Sequence, residues 1–339
     1  MKICIETIYD GYNYGCFLQA YALQSFLKEK GYEVVLLDHS TFKSRIVRRY
    51  FAKSIKRTIL KIKRYRVFHK SWQRLIIERF DKKSNYDLTI IGSDEVWNIE
   101  NNSFDHRSQF YGIDCNSKRV ITYGPSLGFS TYESYNNYPL LVDSIKNRIS
   151  SYCVRDSFTE SFLNKIGIND IKRVADPTIL YYKSWNELRG HTSIESDYLI
   201  YYSYLDNTPF KEHILKFAKG KKLRIVTVGF DYAWCDESII VNPFEFLDLM
   251  ANAKYIVTST FHGSVFSILF KKQFVVVHPN AKVIELLKHF DLSVLAPDEC
   301  SSDSFSEILN TPIDYKVIGD RIDADQRESE RILGMIIKQ

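Results

Sequence analysis

The sequence predicts an α/β protein with two domains, each built around a parallel β-sheet. The chain has 339 residues, which is more than one ordinary core needs and suits two domains of about 150 residues. Short apolar runs alternate with segments whose apolar residues recur at helical spacing, and this alternation is typical of βαβ units. The pattern restarts near residue 180. We therefore expect one domain over residues 1–180 and another over residues 181–339.

The N-terminal residues contain a complete βαβ unit. The run MKICIETIY predicts a strand, and a turn with glycine and asparagine follows it. The segment CFLQAYALQSFLKEKG carries apolar residues at helical spacing and ends at Gly31, which favours a helix with a glycine stop. The run YEVVLLDHS predicts the next strand. A strand, a helix and a strand in this order indicate parallel pairing.

A basic segment interrupts the first domain. Residues 43–80 predict two helices, which we treat as an insert. Within residues 43–79 there are fourteen Lys or Arg and one acid, Glu78, so this segment carries +13 while the whole chain carries +5. The basic character is therefore local. The other elements predicted here are strands in DLTIIGSDEVWN, RVITYGPSLGF and IKRVADPTILY, a helix and a short strand in LLVDSIKNRISSYCVRD, and a helix in FTESFLNKIGI.

The second domain repeats the alternation of strands and helices. Its predicted strands are DYLIYYSYL, LRIVTVGF, YIVTSTF and QFVVVHP, and its predicted helices cover 209–219, 243–253, 263–271 and about 320–338. In both domains polar turns follow the predicted strands. Because ligands of open α/β sheets bind at the carboxyl ends of strands, we expect these turns to build one site along a shared cleft. The turns are 10–15, 92–98, 124–128, 155–157 and 259–263.

Composition excludes several classes of protein. No window approaches the roughly 18 uncharged apolar residues of a membrane span, and the short N-terminal apolar run contains Glu6, which argues against a secretion signal. The six cysteines are scattered without a CxxC pair, which argues against a zinc site and a disulfide framework. No acidic cluster suggests a metal. We therefore expect a cytoplasmic protein that needs no metal.

Six motifs in order resemble those of the polysaccharide pyruvyl transferase family. They are NYGCFLQAYALQ, GSDEVWN, YGPSLG, VRD, DPT and STFHGSVFSILF, and they extend from the first strand into the second domain. The resemblance implies a GT-B-like fold of two Rossmann-like domains whose parallel sheets face a cleft. It also implies transfer of a pyruvyl group from phosphoenolpyruvate onto two hydroxyls of a sugar, which leaves a cyclic ketal and phosphate. No cofactor is implied.

The histidine of the last motif is the expected catalytic group. The resemblance implies that His262 is a general acid and base at a junction between a strand and a helix, where imidazole chemistry suits proton transfer near neutral pH. The alternative is a histidine that only caps the helix. Thr260 occupies a position where members of the family often carry an arginine, so a charged contact to the donor is lost. We expect donor contacts from the residues around His262, namely Ser259, Thr260, Gly263 and Ser264.

The first domain is expected to supply the remaining contacts. Arg155 matches the family's arginine and would hold the phosphate or carboxylate of the donor, although an ion pair with Asp156 or another carboxylate is the alternative. Asp156 itself and Asp176 are expected to be structural. The motif GSDEVWN offers Gly92 and Ser93 for an anion, Asp94 for a sugar hydroxyl and Trp97 for stacking on a sugar, or else it is a capped turn with a core tryptophan.

The first turn of the chain is expected to touch the acceptor. Asn13 and Tyr14 face the cleft if the sheet order is as predicted, although a plain turn is the alternative. The segment lacks the GxGxxG fingerprint of dinucleotide binding.

The basic segment has three interpretations. It is a solvated helical face, a patch that brings the enzyme to a lipid-linked sugar on the anionic inner face of the membrane, or a nucleic-acid site. The last is disfavoured because no recognition module accompanies it. Of the two functional interpretations we favour the membrane patch.

These expectations combine into a transferase of surface-polysaccharide synthesis whose partners are phosphoenolpyruvate and a sugar acceptor. Two rivals stay open. One is a glycosyltransferase of the same fold that uses a nucleotide-sugar. The other is a subunit of polysaccharide assembly without catalytic activity, which the absence of an arginine at position 260 keeps under consideration.

Overall fold

The computed structural model of the chain describes residues 1–40, 55–101, 107–295 and 301–339. Its described residues form two five-stranded sheets and a two-stranded sheet, and the neighbouring strands in these sheets are parallel. Buried apolar runs form the strands, and helices with one apolar face connect them. The prediction of an α/β fold with two Rossmann-like sheets is confirmed.

The first sheet has the strand order β3-β2-β1-β4-β5. Its strands are β1 (Lys2–Glu6), β2 (Glu33–Asp38), β3 (Ile77–Arg79), β4 (Tyr86–Ile91) and β5 (Ser117–Thr122). A smaller sheet pairs β6 (Tyr152–Val154) with β7 (Ile171–Arg173). The helices of this part are α1 (Tyr14–Glu29), α2 (Ile55–Trp72), α3 (Pro139–Arg148), α4 (Ser157–Lys165) and α5 (Pro177–Leu180).

Two predicted elements in this half end differently in the structure. Part of the predicted pair of helices at 43–80 lies outside the described residues, and the described part holds one helix, as predicted, but ends in strand β3. Here Ile77 pairs with Leu36, and tertiary pairing overrides the local pattern. The strand predicted in IKRVADPTILY ends at Arg173, because Asp176 caps a helical turn that has Pro177 in its first position.

The second sheet repeats the topology of the first, with the order β10-β9-β8-β11-β12. Its strands are β8 (Tyr198–Tyr202), β9 (Arg224–Val228), β10 (Glu237–Ile239), β11 (Tyr255–Thr258) and β12 (Gln273–Val276). The remaining helices are α6 (Trp185–Leu188), α7 (Lys211–Lys221), α8 (Pro243–Asn252), α9 (Phe261–Leu269), α10 (Ala281–His289), α11 (Ser302–Asn310) and α12 (Tyr315–Lys338).

Of the described helices, none combines the length and the apolar character that crossing a bilayer requires.

The described residues divide into two compact units. The first takes those within Met1–Arg48, Trp72–Tyr181 and Ile322–Gln339, and the second takes those within Arg49–Ser71 and Tyr182–Arg321. These units differ from the expected domains in two places, since most of α2 joins the second unit and the end of α12 joins the first.

The C-terminal half of α12 is bonded to the first unit at several points. The buried hydroxyl of Ser329 accepts a 2.8 Å hydrogen bond from the Ala175 backbone N–H, and the Arg119 side chain donates to the Ile336 carbonyl at 2.9 Å. Lys30 also forms an ion pair with Glu330. A long helix late in the sequence therefore completes the unit that the first strand begins.

We expect Ser329→Ala to destabilise the first unit. The substitution leaves the Ala175 N–H without its partner in a partly buried position, which costs about 1 kcal/mol. Urea unfolding followed by circular dichroism measures the loss. The matched control is Arg327→Ala, because Arg327 is exposed on the same helix and should leave the unfolding midpoint nearly unchanged. Equal midpoints for both variants would contradict the expectation.

Candidate functional site at the strand ends

Each five-stranded sheet has one point at which the strand order reverses direction. In the first sheet this point lies between β1 and β4, and in the second it lies between β8 and β11. Open α/β sheets bind ligands beside the carboxyl ends of the strands at such points. The loops that follow these strands contain Ser93 and Asp94 in the first unit and Ser259 and His262 in the second. Two of the sequence-predicted loops therefore lie where topology favours a ligand, one in each unit.

Ser93 joins three strand ends of the first unit. Its hydroxyl donates to the Gly124 carbonyl and accepts a bond from the Arg155 guanidinium, both at 3.0 Å. Its carbonyl accepts from the Thr7 hydroxyl at 3.0 Å. These contacts link the loop after β4, which carries Ser93, to those after β1, β5 and β6. Because the residue is fully buried, Ser93 organises the edge of the sheet rather than presenting its hydroxyl to solvent.

Gly92 precedes Ser93 in a conformation that needs glycine. Its φ is +107°, and a Cβ atom at this position would lie 2.6 Å from the Tyr123 carbonyl oxygen. The peptide bond between Gly92 and Ser93 is cis. Gly92 therefore lets the loop after β4 pass close beside the end of β5.

Arg155 forms a buried ion pair with Asp176. Its side chain is 3% exposed and that of Asp176 is 1% exposed. Burial by itself would lower the pKa of Arg155, but the charge of Asp176, with smaller contributions from Asp94 and Asp156, raises it. The other oxygen of Asp176 accepts bonds from the backbone and hydroxyl of Thr178 at 2.9 and 2.6 Å. The contacts of Arg155 therefore match the alternative interpretation, in which it forms an ion pair, and its partner is Asp176.

Asp94 places a second carboxylate near this pair. One oxygen accepts from the Glu95 backbone at 2.8 Å. The other oxygen is buried and finds no N–H or O–H donor within hydrogen-bond distance among the described residues, and the Cys16 thiol is beside it. Burial, and then the charge of Asp94, raise the pKa of Cys16 well above its ordinary value. The expectation that Asp94 accepts from a sugar hydroxyl stays a prediction.

Three other predictions for the first unit change when the contacts are known. Trp97 is completely buried, and its indole N–H donates to the Phe110 carbonyl at 2.7 Å, so stacking on a sugar is wrong and the core alternative holds. The Asn13 side chain caps α1 by accepting from Gly15 and Cys16. Tyr14 is buried in the first turn of that helix. As described, neither residue presents a free side chain to an acceptor surface.

A glutamate and a histidine form a buried pair that the sequence analysis missed. Glu6 ends β1 beside the reversal point, is 1% exposed, and shares a 2.8 Å hydrogen bond with His39 between Oε1 and Nε2. Its other oxygen is buried without a hydrogen-bond partner among the described residues. Burial raises the pKa of Glu6, while His39 and Arg107 lower it in part. A charged residue inside the apolar run MKICIETIY was the signal that could have revealed the pair.

The second unit presents small hydroxyl side chains at its reversal point. The hydroxyls of Ser203, after β8, and Ser259, after β11, are 2.8 Å apart. The Thr258 hydroxyl donates to the Tyr202 carbonyl at 2.7 Å. Thr260 caps α9, since its hydroxyl accepts from the Gly263 backbone at 2.9 Å. The loop after β11 is thus held by hydroxyls at the point where the family often has an arginine.

His262 stands in the first turn of α9 with its side chain partly exposed. Its ring meets that of Phe261 edge to face at 5.3 Å. Gly263 lies so close to the preceding loop that a Cβ atom would come within 2.2 Å of the Thr258 hydroxyl. The Ser264 hydroxyl is buried and donates to the Thr260 carbonyl at 3.0 Å. His262 is therefore an ionisable member of this motif that is partly exposed, with its Nε2 atom buried, whereas Ser264 is structural.

No three metal-binding side chains lie together within the part of the chain that the structure describes. The arrangement offers proton transfer at His262 and, at the start of α9, a backbone that favours anions. In the first unit, considered by itself, Glu6 and Asp94 are buried carboxylates. Proton transfer to or from a bound anion is the chemistry that the residues around His262 suit best.

Comparison with known proteins identifies the family. The profile of the polysaccharide pyruvyl transferases matches residues 13–279, which is most of the chain. The chain belongs to this family. The resemblance drawn from the six motifs is confirmed, and the matched range includes the loops after β4 and β11. None of the curated proteins matches the chain.

Solved structures share the fold at low sequence identity. The UDP-GlcNAc 2-epimerase of Neisseria meningitidis, solved with UDP-GlcNAc, is 9% identical to this chain and has a TM-score of 0.56. The UDP-GlcNAc 2-epimerase of Methanocaldococcus jannaschii, solved with UDP-GlcNAc and UDP, is 12% identical and has a TM-score of 0.54. HepE of Anabaena, solved with UDP and glucose, is 10% identical with a TM-score of 0.53. All of each chain is covered in these three comparisons. The GT-B-like fold class is thereby confirmed.

We expect Glu6→Gln to change how stability depends on pH. Because burial raises the folded pKa of Glu6, the folded state retains this proton at a pH where the unfolded chain has lost it. Wild-type stability should therefore fall as pH rises from about 4.5 through the folded pKa, and the Glu6→Gln variant should lack that part of the fall. Chemical unfolding at a series of pH values measures it. Glu33→Gln, at an exposed position of β2, is the control, and parallel curves for wild type and Glu6→Gln would contradict the expectation.

Proposed function

We propose that this protein transfers a pyruvyl group from phosphoenolpyruvate to two hydroxyls of a sugar, forming a cyclic ketal. The observation that carries the proposal is the position of His262. It lies at the reversal point of the second sheet, in the first turn of α9, and is partly exposed with its Nε2 atom buried. Membership of the pyruvyl transferase family supports the reaction class, and this site supports the proton chemistry that the reaction needs.

The reaction moves two protons. Protonation of the methylene carbon of phosphoenolpyruvate forms a C–H bond and leaves the central carbon electron-poor. One sugar hydroxyl adds to that carbon and loses its proton. The bond from carbon to the phosphate oxygen breaks with the electron pair going to phosphate, and a second hydroxyl closes the ring and loses its proton. One hydroxyl proton replaces the proton given to carbon, and the other is taken up by phosphate.

His262 is proposed as the group that gives the first proton and receives one from a hydroxyl. An imidazole exchanges protons near neutral pH, so one side chain serves as acid and then as base. The start of α9 contributes the favourable end of a helix dipole for the negative charges of the donor. Ser259, whose hydroxyl pairs with that of Ser203 in the same region, is proposed as a donor contact.

Asp94 of the first unit is proposed as a contact for a sugar hydroxyl. Its buried oxygen without an N–H or O–H donor in the described chain suits a sugar hydroxyl, because an unpaired buried carboxylate oxygen is costly. Arg155 then has a different task from the donor contact that the resemblance implied. With its guanidinium bonded to Asp176 and Ser93, it positions the loop that carries Asp94.

We expect His262→Ala to reduce phosphate release from phosphoenolpyruvate by about 100-fold or more, because loss of an acid–base group typically costs 10²–10⁴-fold. The assay supplies phosphoenolpyruvate and a panel of simple glycosides and measures free phosphate. His191→Ala is the control, since His191 is exposed outside the motif. Undiminished release by a folded His262→Ala protein would refute the role. A thermal shift with UDP-sugars and none with phosphoenolpyruvate would favour a nucleotide-sugar transferase instead.

The basic helix α2 is proposed to touch an anionic membrane surface. Its exposed cations Lys63, Arg66 and Lys70 recur at intervals of three and four residues, which sets them on one helical face. Polysaccharide acceptors carried on lipids would make such contact useful, and each cation near an anionic surface is worth about 1 kcal/mol.

We expect the wild-type protein to float with vesicles that contain anionic lipid and to stay behind with neutral vesicles. Replacing Lys63, Arg66 and Lys70 together by Gln should abolish flotation without changing phosphate release in solution. The control replaces Lys216, Lys219 and Lys221 of α7 by Gln, which removes the same charge from another helix. Equal recovery of the wild-type protein with anionic and neutral vesicles would refute the proposed membrane contact.

A further inference from the structure

The loop after β11 lacks a fixed positive charge. Residues 259–263 are Ser, Thr, Phe, His and Gly, and the hydroxyl of Thr260 is engaged with the Gly263 backbone and the Thr258 hydroxyl. Phosphoenolpyruvate carries a phosphate and a carboxylate, and proteins usually hold such groups with arginine. A cation for this donor must therefore come from another element.

Helix α2 directs one of its arginines toward the second sheet. Lys63 and Arg66 are exposed, whereas Arg64 is half-buried and belongs to the second unit. The Arg64 guanidinium donates to the carbonyl of Gly229, the residue that directly follows β9. It also lies over the Phe230 ring, 6.0 Å from the ring centre. Arg64 is thus located at the carboxyl ends of the strands.

A continuous set of contacts connects Arg64 to the loop of His262. Phe230 meets Tyr202 and Tyr204 at centre-to-centre distances of 5.9 and 5.5 Å. The Tyr202 carbonyl in turn accepts from the Ser259 backbone at 3.3 Å. Strand β9 pairs with β8, and β8 pairs with β11. Since neighbouring strands are about 4.8 Å apart, the ends of β9 and β11 are separated by about 10 Å.

That separation suits a small ligand with two anionic groups. An extended arginine side chain covers part of the distance, and its planar guanidinium presents five N–H donors that match a phosphate. The exposed ring of Tyr204 and the partly exposed ring of Phe230 border the same edge. A phosphate held near the end of β9 by Arg64 would be about 10 Å from the end of β11.

We propose that Arg64 is a donor-binding residue and takes the place of the arginine that position 260 lacks. The assignment rests on the proposed function, and it names the group that holds the phosphate of the donor. It also divides the basic helix into two faces. Arg64 serves the site, while Lys63, Arg66 and Lys70 form the exposed face.

The test compares Arg64→Ala and Arg64→Lys with two controls, Lys82→Ala and Lys219→Ala, which remove exposed cations outside the basic helix. KM for phosphoenolpyruvate and kcat are measured from phosphate release, and the melting temperature is measured for each variant. Arg64→Ala should raise KM about tenfold or more, as expected for a lost hydrogen-bonded charge. Arg64→Lys should recover part of the loss, because the charge remains without the planar fork. The two controls should match wild type.

The outcomes separate Arg64 from the proposed function. Suppose that wild type turns over phosphoenolpyruvate, and that a folded Arg64→Ala protein has an unchanged KM, with or without a lower melting temperature. The assignment of Arg64 is then overturned and the proposed function stands. If wild type shows no turnover but binds inorganic phosphate by calorimetry, and Arg64→Ala does not, the function is overturned and the assignment stands as an anion site. If wild type binds neither anion, both are overturned. Should Arg64→Ala fail to fold, Arg64→Lys and Arg64→Gln decide by the same comparison.

Discussion

The buried ion pair between Arg155 and Asp176 is the interaction on which the functional edge of the first unit depends. A buried charge is costly unless it is paired and hydrogen-bonded, and here both partners are almost inaccessible. Arg155 reaches the loop after β4 through Ser93, and Asp176 at the same time caps α5 through Thr178. Loss of either partner would leave the other charge uncompensated in the interior. The geometry of Asp94, in the same loop as Ser93, is therefore set by residues far along the chain.

The alternation of apolar runs and helical periods was sufficient to predict most of the strands and both parallel sheets. The sequence pattern did not predict the structure where strand pairing or helix capping determined it. The sequence predicts helix up to residue 80, and only the register with β2 makes Ile77–Arg79 a strand. The sequence also predicts that a strand ends at Asp176 and Pro177, although the same two residue types begin a helix equally well.

The candidate site was predictable in position but not in detail. Polar turns after strands mark the edge of a sheet, and the sheet order then gives its reversal points. Burial and partners are tertiary facts that sequence patterns do not contain. Trp97 and Tyr14 belong to residue types that also line sugar sites, yet both are in the interior. Glu6 and His39 are separated by 33 positions, and Arg155 and Asp176 by 21, so local spacing could not pair them.

The helix α12 has a consequence for the order of events during synthesis. Its last residues supply the Ser329 and Ile336 contacts of the unit whose first strand is β1. A ribosome delivers β1 long before those residues. The first unit therefore lacks these contacts until α12 has emerged, although all five strands of its large sheet are synthesised before the second sheet begins.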